Sequence, residues 1–126
     1  MSEKKPTIAI IGASGDRTKF GNKAVRAFIQ QDFDVYPVNP RETTVEGVTC
    51  YKSILDIPVT LDMVSIYVPP AVAIKVLVDV AKKGAREVWL NPGTESDDVI
   101  EKATELKLHV ITDCSIMAIG IDPDEL

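Results

Sequence analysis

One feature narrows this chain more than any other: short apolar runs that end on Gly, Asn or Pro alternate with amphipathic stretches of helical period. Thr7-Ile8-Ala9-Ile10-Ile11-Gly12 is apolar almost without interruption. A strand with one wet face would alternate apolar and polar residues, so an unbroken run suits a strand covered on both faces of a parallel sheet. From Asn22 to Gln31 the apolar residues Ala24, Val25, Ala27, Phe28 and Ile29 cluster on one helical face. Phe33 to Val38 reads as a second strand, stopped by Asn39-Pro40. Val48 to Tyr51 is brief and β-prone, and Ser53 to Ile57 reads as a stub of helix before Pro58. Asp62 to Val68 is the next strand, broken by Pro69-Pro70. Ala71 to Lys83 repeats Val72, Val76, Val80 and Ala73, Leu77, Ala81 at i, i+4 spacing, and Gly84 closes that helix. Glu87 to Leu90 is a strand ended by Asn91-Pro92-Gly93, and Ser96 can cap a helix that runs to Lys107. His109 to Thr112 is the last strand, with Trp89 expected in the core.

Strand and helix in alternation predict an α/β fold, a single Rossmann-like, doubly wound parallel sheet with right-handed crossovers. The expected strand order is 3-2-1-4-5-6, with Val48 to Tyr51 as a short third strand at one edge. A chain of 126 residues, 45% apolar and 26% charged, is expected to form one domain over residues 1–126. A net charge of −5 speaks against a generic electrostatic grip on nucleic acid. No apolar run approaches the ~20 residues that cross a bilayer, and Met1 to Pro6 is polar, without the apolar core of a secretory signal. The expectation is a cytoplasmic protein without a membrane partner. Two cysteines, Cys50 and Cys114, and one histidine, His109, predict no disulfide framework and no metal site. No catalytic residue is predicted.

In such sheets ligands bind outside the carboxyl ends of the strands, so those ends hold the candidate site residues. The first is followed by Gly12-Ala13-Ser14-Gly15-Asp16-Arg17-Thr18-Lys19-Phe20-Gly21-Asn22. A Gly-rich turn lets backbone N–H groups face a phosphate. Ser14 and Thr18 add hydroxyls, while Arg17 and Lys19 add charge. The spacing lacks the second and third glycines of the dinucleotide fingerprint, and no Gly-Lys-Ser/Thr follows to make a P-loop. The second strand ends at Asn39, where an NAD site would place Asp or Glu against the ribose hydroxyls; Pro40 and Arg41 follow. A cation there suits a phosphorylated ribose, as in NADP or coenzyme A, although Arg41 also reads as a solvated surface residue. After Val68, Pro69 and Pro70 form either a rigid apolar lip or a plain helix start. Asn91, Pro92 and Gly93 make a second tight turn at the same edge, and Glu95 suits the first turn of the following helix. Cys114 reads as a small buried residue rather than a reactive thiol, since no His or Lys neighbours it in sequence. His109, at the opposite end of its strand, reads as structural or exposed.

Taken together, several segments resemble one family. They are Ile10-Ile11-Gly12-Ala13-Ser14 with Lys19-Phe20-Gly21-Asn22, Val35 to Pro40, Gly47 to Tyr51 with Leu55-Asp56-Ile57-Pro58, Asp62 to Pro70, Gly84 with Val88 to Gly93, and Cys114. The chain is similar to the small stand-alone CoA-binding domain proteins, and so to the N-terminal CoA-binding domain of the succinyl-CoA synthetase alpha subunit and of ADP-forming acyl-CoA synthetases. The resemblance implies coenzyme A as ligand, with its phosphates on Ser14, Gly15, Asp16 and Arg17 and with Lys19 nearby. It implies a phosphorylated ribose near Asn39, Pro40 and Arg41. It implies an adenine or pantetheine path along Val68, Pro69, Pro70 and Asn91, Pro92, Gly93. The larger synthetases carry their phosphorylated histidine in a second domain, and His109 stands in the wrong place to replace it. The expected function is therefore CoA or acyl-CoA binding with no catalysis of its own, in sensing, carrying or presenting the coenzyme to a protein partner or within a homo-oligomer. The alternatives are an NAD(P)-binding redox protein or sensor, and a thiol enzyme in which Cys114 forms a mixed disulfide with CoA.

Overall fold

All five residues of Thr7–Ile11 (β1) are buried, and the strand lies inside a sheet rather than at its rim. The computed structural model describes residues 5–126, so the polar lead over residues 1–4 lies outside the described residues. The remaining strands are Asp34–Val38 (β2), Thr44–Val45 (β3), Val48–Thr49 (β4), Leu61–Ile66 (β5), Ala85–Leu90 (β6) and Val110–Ile111 (β7). The helices are Phe20–Gln30 (α1), Pro70–Lys83 (α2), Asp97–Glu105 (α3) and Ser115–Ala118 (α4), with 3-10 turns at Ile54–Asp56 and Pro123–Glu125. The main sheet has the order β2-β1-β5-β6-β7, and every pair in it is parallel. Among the described residues no helix is long and apolar enough to cross a membrane.

The α/β class is as expected, but the strand order differs at one edge. The third strand does not join the main sheet. It folds on itself as the β3–β4 antiparallel hairpin, and only Tyr51 reaches β2, in a single parallel bridge to Val38. Pro37 supplies the physical reason. The Tyr51 amide donates to the Pro37 carbonyl and the Asn39 amide donates to the Tyr51 carbonyl, each at 2.9 Å. The next rung toward Thr49 would need an N–H from residue 37, and proline has none. Thr49 pairs with Thr44 instead, across a two-residue turn in which Glu46 and Gly47 both take positive φ.

Helices on both faces explain the unbroken apolar runs. On one face Ala9, Ile11, Val64, Ile66, Val88 and Leu90 meet Ala73, Leu77 and Val80 of α2 and Val99 and Ala103 of α3. On the other, Ile8, Ile10 and Val35 meet Ala24, Val25, Ala27 and Phe28 of α1 and Ile116 of α4. Side chains alternate along each strand, so β1, β2 and β5 feed both cores. The second layer stops short of β6. Trp89, expected in the core, is only half-buried, belongs to neither cluster and turns its Nε1–H to Glu87 at 3.2 Å.

The helix ends follow local chemistry. Pro70 occupies the first turn of α2, where a missing N–H costs nothing, and Gly84 takes φ +82° after its last turn, beyond Lys82 and Lys83. The Ser96 hydroxyl accepts from the Val99 amide at 3.2 Å and caps α3, as its position in the sequence predicts. Lys19 precedes α1 without a side-chain cap, as an ammonium group has no acceptor to offer the first amides.

Candidate functional site

The carboxyl ends of β1, β2, β5 and β6 open into two adjoining cavities. The larger, about 900 Å³, is bounded by the turn between β1 and α1, by the segment after β5 and by the turn after β6. The smaller, about 370 Å³, lies between the end of β2, the Ser53-Ile54 turn and one side of α2. Gly12, Asn39 and Val68 line both, so these three residues form the ridge between the cavities.

The turn after β1 is held open by a frame of its own. Gly12 takes φ +89°, and a Cβ there would lie 3.1 Å from the Tyr67 carbonyl carbon and Val68 Cγ1. Gly21, in the first turn of α1, packs directly on the Gly12 carbonyl, so the helix starts hard against the strand end. Asn22 is fully buried, donates from Nδ2 to the Ser14 carbonyl at 2.8 Å and to Glu46 at 3.0 Å, and accepts from Arg26 Nε at 2.7 Å. Asn39 Nδ2 donates to the Ala13 carbonyl at 2.7 Å, which ties the turn to the end of β2. Asp16 serves the turn itself. Its carboxylate accepts from the Thr18 hydroxyl at 2.7 Å and the Thr18 amide at 3.0 Å, bonds that hold its pKa below the usual carboxylate value.

Beneath the larger cavity lies a buried polar network. Asn91 Nδ2 donates to Ser65 Oγ at 2.7 Å and to the Ile66 carbonyl at 2.9 Å, while Asn91 Oδ1 accepts from the Ser115 amide at 2.9 Å. Ser115 Oγ joins Ser65 Oγ at 2.8 Å and the Tyr67 hydroxyl at 3.0 Å. Burial pushes the Tyr67 phenol up to about 12, so it stays neutral and serves as a hydrogen-bonding group. Thr94 Oγ1 bonds the Ile66 and Val68 carbonyls at 3.1 and 2.8 Å.

The predicted site residues divide accordingly. Gly12, Ser14, Lys19, Phe20, Asn39, Val68, Pro69, Asn91, Pro92 and Gly93 line the larger cavity, and Pro40 lines the smaller. Ala13, Gly15, Asp16, Arg17, Arg41 and Pro70 line neither. Ala13 is fully buried, and Arg17 turns its guanidinium toward Glu46 at 3.5 Å. Arg41 stays exposed at the end of β2. Cys114, read from sequence as a small buried residue, is only partly buried and lines the larger cavity next to Met117. Exposed, apolar Phe20 and Met117 stand at the same cavity.

Sequence reasoning missed Tyr67, Thr94, Met117 and the Asp122-Pro123-Asp124 segment of the larger cavity. It also missed Lys52, Ser53, Ile54, Val72, Val76 and Asp79 of the smaller one. For Tyr67 and Thr94 the strand-end rule was a usable signal. Nothing periodic marks residues 122–124, which reach the cavity only because α4 turns the chain back over α1.

Comparison with known proteins bears on this geometry. The profile of a family described as a CoA binding domain matches residues 6–120. Acetate–CoA ligase (ADP-forming) of Methanocaldococcus jannaschii is 38% identical over 80 residues, which cover 64% of this chain and 11% of the ligase. Acetate–CoA ligase (ADP-forming) II of Archaeoglobus fulgidus is 39% identical over 107 residues, 83% of this chain and 16% of that protein. The chain thus spans less than a fifth of the ligases it matches. Among solved structures, a hypothetical protein from Pyrococcus horikoshii OT3 superposes with a TM-score of 0.83 at 29% identity, covering 94% of this chain and 96% of the other. The dinucleotide forming acetyl-coenzyme A synthetase 1 of Ca. Korarchaeum cryptofilum, in complex with phosphate and ADP, superposes at 0.75 with 26% identity, covering 85% of this chain and 25% of the synthetase.

Proposed function

The chain belongs to the CoA-binding domain family, and from that premise we propose that it binds coenzyme A or an acyl-CoA across the two adjoining cavities. The observation that carries this reading is their shared ridge: Gly12, Asn39 and Val68 belong to both, so one elongated ligand can occupy the two limbs at once. The pyrophosphate lies against the turn after β1, at Gly12, Ser14 and the adjoining Gly15 amide, with Lys19 as its cation. The nucleotide end takes the smaller cavity, where Val38, Ile54, Val72 and Val76 give apolar walls and Asn39, Ser53 and Asp79 give polar atoms. A mostly apolar cleft with a few fixed polar groups is the usual character of a small-molecule site. The pantetheine arm and its thiol run through the larger cavity toward Cys114 and Met117.

The role that follows is binding and presentation of the coenzyme, with a ligase-type protein or a second copy of the chain as partner. The chain works in the aqueous interior of the cell, apart from nucleic acid and membrane. An NAD ligand is disfavoured because β2 is followed by Asn39, not by an acidic residue that would take the ribose hydroxyls.

Native mass spectrometry of freshly purified protein, followed by calorimetric titration with CoA, dephospho-CoA, NAD, NADP and ADP, tests the reading. CoA is expected to bind most tightly, and equal or tighter binding of NAD would reject the proposal. The geometry also separates two cations. Lys19→Ala is expected to weaken CoA binding about tenfold, the loss of one charge-assisted hydrogen bond. Arg17→Ala, whose side chain faces Glu46, should change it by less than about threefold. The reverse ranking would move the phosphate site. Cys114 offers an independent reporter: saturating CoA should slow its alkylation by iodoacetamide about tenfold or more, while buried Cys50 stays unreactive in both states. Unchanged alkylation of Cys114 would place the ligand's arm elsewhere.

A further inference from the structure

The amide of Gly15 already has an anion on it, and the anion belongs to the chain. Glu42 Oε2 accepts from the Gly15 N–H at 2.8 Å. A Cβ on Gly15 would lie 2.8 Å from that same oxygen, so the carboxylate sits directly against the backbone of the turn. Amides of a Gly-rich turn after the first strand are the groups a phosphoryl oxygen uses. A carboxylate oxygen is likewise an anionic acceptor for such an amide, with less charge than a pyrophosphate brings.

The segment carrying Glu42 is built to stay there. Asn39, from the start of that segment, is bonded to the Ala13 carbonyl at 2.7 Å, and its own Oδ1 accepts from the Arg41 amide at 2.8 Å. At the far end, in the turn between β3 and β4, Glu46 accepts from Asn22 at 3.0 Å and pairs with Arg17 at 3.5 Å. Glu46 does so from φ +50°, a region that a side chain tolerates only where its surroundings hold it. Two carboxylates from one segment thus engage two donors of the phosphate turn, the Gly15 amide and the Arg17 guanidinium. Glu42 holds the one that belongs to the backbone cradle.

We propose that Glu42 is an internal competitor for the ligand's phosphoryl group, which sets the affinity of the site and selects ligands with enough anionic charge to displace it. This rests on the coenzyme reading given above. A simple structural clamp would have the opposite sign: removing it would loosen the turn and weaken binding. Competition predicts that removing it tightens binding.

The test uses the full chain and its Glu42→Ala and Glu42→Gln variants. Each is titrated calorimetrically with CoA, dephospho-CoA, pantetheine and inorganic pyrophosphate, and the Gly15 amide is followed by nitrogen-15 NMR. Glu42→Ala is expected to bind CoA about five- to tenfold tighter, with pantetheine unchanged. Glu42→Gln keeps an acceptor and loses the charge, so its gain should be about two- to threefold. An equal gain for dephospho-CoA identifies the displaced group's rival as the pyrophosphate, and a gain for CoA alone identifies the ribose phosphate. Unchanged or weaker CoA binding in both variants overturns the inference, and if Glu42→Ala does not fold, Glu42→Gln decides by the same sign. Should the parent chain not bind CoA, the coenzyme reading falls and pyrophosphate decides: a larger Gly15 response in the variants than in the parent keeps the competition, and an equal response overturns it.

Discussion

Gly21→Ala is expected to destabilise the fold by about 3 kcal/mol or more and to abolish the coenzyme binding proposed above together with it. A Cβ built on Gly21 falls 2.1 Å from the Gly12 carbonyl oxygen and 2.9 Å from its carbon. The obstacle is backbone at the end of β1, not the tip of a flexible side chain. Relief requires α1 to move away from the strand. That movement pulls on Asn22, whose Nδ2 holds the Ser14 carbonyl at 2.8 Å, and on Phe28, a fully buried side chain of the second core. The melting temperature should fall by roughly 10 °C, at a few degrees per kcal/mol for a domain of this size. Gly47→Ala makes a useful comparison. It has φ +76° but open space around the added methyl, so it carries backbone strain alone, about 1–2 kcal/mol. If Gly21→Ala melted no lower than Gly47→Ala, the close approach of α1 to the strand end would not be what shapes the turn after β1.

Gly21 also shows where the sequence could and could not be read. The layered α/β fold was legible because burial on both faces of a parallel sheet forces unbroken apolar runs, and β1 has one. The glycine fingerprint was not legible, because the role of close helix-to-strand approach is played by a glycine nine residues after Gly12 in a longer turn. The strand order failed for a related reason. Val48 to Tyr51 has strand propensity, but the missing N–H of Pro37 confines its pairing with β2 to one bridge. The strand-end rule led to the larger cavity, since ten of the residues it marked line it. It could not say which cation faces in. Arg17 and Lys19 look equivalent in sequence, and only the fold of the hairpin, which brings Glu46 to Arg17, separates them. The same hairpin delivers Glu42 to Gly15, a contact across 27 positions that no local pattern encodes.

Asn91→Ala is expected to cost about 2–4 kcal/mol, a larger loss than its position in an apparent loop suggests. From sequence, Asn91 belongs to a polar turn that faces a ligand. In the fold it is 1% exposed and its side chain joins three chain segments. It reaches Ser65 on β5, the Ile66 carbonyl at the end of that strand, and the Ser115 amide at the start of α4. Removing the side chain leaves the Ile66 carbonyl with the Thr94 hydroxyl at 3.1 Å, and Ser65 with the Ser115 hydroxyl at 2.8 Å. The Ser115 N–H is left with no partner in a fully buried position. An orphaned buried donor costs about 1–3 kcal/mol, and the void left by the amide adds to it. The effect should reach the site, because Ser115 follows Cys114 and carries the Tyr67 hydroxyl at 3.0 Å. The melting temperature of Asn91→Ala should therefore fall by roughly 8–15 °C, and Cys114 in the unliganded variant should alkylate faster than in the parent. Asn91→Asp keeps an acceptor for the Ser115 amide but sets a buried carboxylate oxygen against the Ile66 carbonyl, so it should fall at least as far as Asn91→Ala. A melting temperature for Asn91→Ala within about 3 °C of the parent would mean that the network beneath the cavity fills space without holding α4 in place.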